Sequence, residues 1–133
     1  MRRLLLAAAL AACAHAAPPP PSPPGFGRSR ERAAEVCLPP GVKAYLTGLR
    51  CPDGSRAQTG RVGSVGSRLT PVDPNDPRIL LQMDPERPLQ PGEPDLHIVD
   101  AFEARCPGAL YTLFLDMYHC PSPPQPAPDG FTR

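Results

Sequence analysis

Four side chains in the C-terminal half could carry acid–base or metal chemistry: His97, Asp100, Asp116 and His119. They lie in two β-prone runs, Leu96 to Cys106 and Ala109 to Cys120, on either side of Pro107-Gly108. A Pro-Gly break between two such runs predicts a hairpin. With Cys106 paired to Leu110 across a three-residue loop, Asp100 falls opposite Asp116 and His97 opposite His119. Two carboxylates about 5 Å apart repel unless they share a proton or a cation, so this register points to an acid–base pair or a metal site. Strand alternation works against a single four-residue site, because His97 and Asp100 project from opposite faces, as do Asp116 and His119. The plainer expectation is strand-end residues that are solvated or bonded to loop backbone. The sequence assigns no catalytic residue, no metal and no cofactor.

Cysteine spacing gives a second set of constraints. Cys37, Cys51, Cys106 and Cys120 form an even set with no C-x-x-C, which argues against zinc held by thiolates and predicts two disulfides. Cys106 sits at the hairpin turn and Cys120 at its open end, about 30 Å away at roughly 3.3 Å per residue, so these two cannot bond. If Val42 to Cys51 is a strand beside residues 110–119, the bonds are Cys51–Cys106 and Cys37–Cys120. If it lies beside residues 97–106, they are Cys37–Cys106 and Cys51–Cys120. The first is favoured, since Tyr111, Leu113, Leu115 and Met117 make the last strand the more apolar.

The elements that must position these residues are read as follows. Ser29 caps a short helix through Arg30 to Val36, with Glu31 in its first turn, and Pro39-Pro40 stops it. Val42 to Cys51 alternates with period two and reads as a strand. Ser55 to Arg68, with glycines at 60, 63 and 66, reads as a flexible or bulged segment and not as a phosphate-binding loop, which would need a lysine-serine ending. Prolines at 71, 74 and 77, and at 85, 88, 91 and 94, repeat every three residues and predict polyproline II, with Arg78 to Met83 as a short strand or apolar pin. The 22 prolines and 11 glycines among 133 residues make about a quarter of the chain, so much of it is not packed core. The expected fold is α+β and β-rich. It has a short N-terminal helix, a small antiparallel sheet and long irregular Pro-rich connections over residues 28–120, followed by a loosely ordered tail, 121–133.

Met1-Arg-Arg followed by Leu4 to Ala12 and then Cys13 has a charged start and a short apolar run, too short to span a bilayer. Leu10-Ala11-Ala12-Cys13 resembles a bacterial lipobox. The resemblance implies a signal peptide over 1–12, a lipid on Cys13 and a Pro-rich tether over 13–27. Ala14 follows the cysteine where an aspartate would mark inner-membrane retention, which implies the outer membrane. Cleavage before Ala17 is the alternative and would leave a soluble periplasmic or secreted protein.

The segments Gly48 to Gly54, Arg61 to Gly66 and Asp116-Met-Tyr-His-Cys120 together resemble a group of small exported proteobacterial proteins of unknown function. A net charge of +1 gives no reason to expect nucleic acid as a partner. The expected role is a non-enzymatic cell-envelope lipoprotein, membrane-bound through its anchor, that presents a small domain to an envelope partner. An inhibitor or ligand-binding module, or a metal-dependent hydrolase using Asp100 and Asp116, are the alternatives.

Overall fold

The computed structural model describes residues 21–68, 72–121 and 124–133. The signal segment, Cys13 and the tether up to residue 20 lie outside them. The chain folds as α+β, with a mixed four-stranded sheet, two short helices and two disulfides. In chain order the elements are β1 (Ala34–Glu35), α1 (Leu38–Thr47), β2 (Gln58–Ser67), α2 (Arg78–Gln82), β3 (Ile98–Cys106) and β4 (Ala109–Asp116). The sheet order is β1-β4-β3-β2, parallel between β1 and β4 and antiparallel elsewhere.

The hairpin forms, but with a two-residue loop. Cys106 pairs with Ala109, and Gly108 at φ 73° supplies the left-handed residue that a Pro-Gly turn requires. That shortening by one residue moves the whole register, so Asp100 stands opposite Leu115 and Asp116 opposite Val99. Asp100 and Asp116 therefore project from opposite faces, and the expected pair of facing carboxylates does not exist.

Two local expectations are corrected. Residues 30–36 do not form a helix: Ser29 Oγ accepts from the Arg32 amide at 3.3 Å in a turn, and Ala34–Glu35 then join the sheet. The segment expected as a strand from Val42 is instead helix α1. Val42, Tyr45, Leu46 and Leu49 recur at helical spacing and are all buried. Pro39 and Pro40 sit in its first turn, where a proline forfeits no intrahelical bond, so they start the helix and do not stop the one before it. The α1 face packs with Phe102, Ala104, Leu113 and Leu115 in the main core.

The glycine-serine segment is strand β2, a bulged edge strand. Its pairing with β3 shifts between Arg61 and Gly63 and again between Ser64 and Ser67, where Gly63 and Gly66 have positive φ. The proline-rich arm is not a continuous polyproline helix. Asp73, Asp76 and Asp84 each accept the amide two residues on, giving successive Asx turns. Its pin is polar: buried Gln82 accepts from the Leu96 amide at 2.7 Å and donates to the Pro94 carbonyl at 2.9 Å, while Leu80 and Leu81 point outward.

The tail is also packed. Phe131 is buried in the core, the Tyr45 hydroxyl donates to the Pro126 carbonyl at 2.6 Å, and Arg50 and Thr132 exchange backbone bonds. The end of the expected tether joins it, since the Gly25 amide donates to Asp129 Oδ2 at 2.7 Å.

Candidate functional site

At the open end of the hairpin the sheet gathers Asp95, His97, Asp116 and His119, each able to offer one ligand atom, with those atoms all within 4.8 Å of one another. The β3–β4 register brings Asp116 level with Val99, close to the residues that lead into β3. Strand β1 places Glu35 beside Asp116. Beyond β2, Arg68 is fixed by its amide bond to the His97 carbonyl at 3.0 Å. His119 was expected on the far face from Asp116. The strand ends at Asp116, whose Oδ1 accepts the Tyr118 amide at 2.9 Å, and the chain turns His119 back toward the cluster.

Charge is concentrated here among largely buried side chains. Asp116 is fully buried and His97 is 2% exposed, while Asp95 and His119 are partly open. Arg68 contacts Asp116 Oδ2 and Asp95 Oδ2, each at 3.0 Å, and Glu35 at 3.7 Å. His97 Nδ1 lies 3.1 Å from Asp95 Oδ1 and 3.3 Å from Asp116 Oδ2, yet neither ring nitrogen of His97 makes an aligned hydrogen bond, nor does His119 Nε2. The two imidazoles meet edge to face at 4.1 Å. Burial favours the neutral imidazole, but the carboxylates of Asp116 and Asp95 outweigh it and raise His97 to about 9. Burial likewise opposes ionisation of Asp95 and Asp116. Asp95 is nevertheless held below the carboxylate range by His119 and His97, and Asp116 by His97, the Tyr118 amide and Arg68.

Asp100 belongs elsewhere. It accepts from Arg61 Nε and Nη2 at 2.8 and 2.9 Å and from Ser64 Oγ at 2.8 Å, a closed set that joins β2 to β3. Of the four residues picked out in the sequence, His97, Asp116 and His119 therefore converge and Asp100 does not.

No protein-family model, curated protein or solved structure matches this chain.

Asp95, Arg68 and Glu35 were not anticipated. The signal for Asp95 is its i, i+2 spacing from His97, which puts both side chains on one side of an extended segment. Arg68 and Glu35 reach the cluster only through sheet pairing, which no local pattern reveals. A cleft of about 260 Å³ lined by Glu35, Glu86, Arg87, His119 and Cys120 opens beside His119.

Proposed function

We propose that this is an exported cell-envelope protein, lipid-anchored through Cys13 on the outer membrane, whose domain binds and does not catalyse. The observation that carries the reading is the disulfide pair. Cys37–Cys120 and Cys51–Cys106 close loops of 83 and 55 residues, and such cross-links persist in an oxidising compartment. Among the described residues no helix is long and apolar enough to cross a membrane. The binding role is supported by the arm, where α2 presents Leu80 and Leu81 to solvent. The hydrolase alternative loses its support, because Asp100 and Asp116 diverge and Asp100 is already saturated by Arg61 and Ser64.

Acyl chains contribute about 0.8 kcal/mol per buried methylene, so a multiply acylated Cys13 would hold the protein stably. Wild type should fractionate with membranes and Cys13→Ala should be released. A lipid-free mature protein whose mass begins at Ala17 would refute the anchor.

A further inference from the structure

We infer that Asp95, His97, Asp116 and His119 bind one zinc ion. The inference goes beyond the envelope role and stands whether or not Cys13 carries a lipid.

The donor set is the first argument. Two imidazoles and two carboxylates suit a borderline ion such as zinc, whereas calcium and magnesium favour oxygen ligands alone. Zinc–nitrogen and zinc–oxygen bonds of about 2.0–2.2 Å place tetrahedral ligand atoms about 3.4 Å apart. Four atoms already within 4.8 Å of one another need only draw inward by small side-chain rotations.

The second argument is unmet bonding. His97 is 2% exposed, and both its ring nitrogens lack an aligned partner, as does the buried Nε2 of His119. His97 Nδ1 faces carboxylate oxygens at 3.1 and 3.3 Å and His119 Nε2 lies 3.8 Å from Asp95 Oδ2, whereas His97 Nε2 has no partner. Buried polar atoms in folded proteins are nearly always bonded, so that nitrogen and the loosely met His119 Nε2 point to a missing ligand.

Charge is the third. Glu35, Asp95 and Asp116 set three carboxylates against the single guanidinium of Arg68, an excess of two negative charges among these groups. A divalent cation cancels them. Arg68 then acts from outside the coordination shell, orienting the Asp95 and Asp116 carboxylates. The cleft beside His119 gives the ion a way in.

The test is titration of the chelator-treated, disulfide-intact protein with Zn2+ by calorimetry, together with the visible spectrum of its Co2+ form. One ion per chain should bind, the melting temperature should rise, and Co2+ should show four-coordinate absorption that zinc displaces. The partly exposed His119 can be changed with little risk to folding, checked by circular dichroism. His119→Gln should weaken binding by about 100-fold or more, because loss of even an outer-shell partner costs roughly 10–100-fold. Asp100→Asn should bind zinc as wild type does. Folded wild type that takes up no zinc, or His119→Gln that binds zinc as tightly as wild type, would overturn the site.

Discussion

Arg61 grips Asp100 side-on, Nε to Oδ2 at 2.8 Å and Nη2 to Oδ1 at 2.9 Å, and so ties edge strand β2 to the centre of the sheet. The arginine is half-exposed, whereas the carboxylate side chain is 5% exposed. Burial alone would raise the Asp100 pKa. Arg61 and Ser64 reverse that and hold it below the usual range.

Truncating Arg61 should therefore hurt more than removing both partners. Arg61→Met leaves a buried carboxylate with Ser64 alone, while Arg61→Met with Asp100→Asn leaves no buried charge. The double variant should melt above the Arg61→Met single variant. Because the native pKa is depressed, this contribution is complete above the ordinary aspartate value of about 3.9 and is lost as pH falls through the native value. Acid melts of wild type and Asp100→Asn should converge below that point. A double variant less stable than Arg61→Met would refute the account.

Turn chemistry and cysteine spacing were legible in the sequence, because each depends on a few local residues. Pro107-Gly108 marked the hairpin, and Cys37–Cys120 with Cys51–Cys106 was the favoured pairing. The pairing emerged although its supporting strand is helix α1: Cys37 follows β1, which lies beside β4, so it still reaches Cys120. Period-two alternation misled at Val42 to Cys51, since the same residues also satisfy the helical i, i+3, i+4, i+7 pattern. The site was half legible for a different reason. A loop shorter by one residue exchanged Leu115 for Asp116 opposite Asp100, and Arg68 arrives through pairing between distant strands.

Phe131 should matter far more than its place near the C-terminus implies. It is buried in the core and meets Tyr111 edge to face, with ring centroids 5.1 Å apart and planes at 78°. Burial and a cavity term together put Phe→Ala losses at about 3–5 kcal/mol. Phe131→Ala is expected within that range, and it also removes the ring over which the Arg28 guanidinium lies, 5.8 Å from the centroid. Leu80→Ser, on the exposed face of α2, should stay within about 0.5 kcal/mol of wild type. Urea denaturation measures both, and a neutral Phe131→Ala would show that the tail does not hold the core.

The two disulfides should part company under mild reduction. Cys51 and Cys106 are 1% and 7% exposed and belong to the core, whereas Cys37 and Cys120 lie at the surface. Thiolate attack needs access, so Cys37–Cys120 should open first in timed alkylation and peptide mapping. Each bond's removal as a serine pair should cost about 2–5 kcal/mol in denaturant melts. The consequences differ in place. Cys120 adjoins His119, and its bond to Cys37 fixes the chain where it turns back to the Asp95–His97–Asp116 cluster. Cys37→Ser with Cys120→Ser should therefore weaken zinc binding as well as stability. Cys51→Ser with Cys106→Ser, at the hairpin turn, should lower stability and leave zinc affinity near wild type while the protein stays folded. Earlier opening of Cys51–Cys106 would contradict the burial argument.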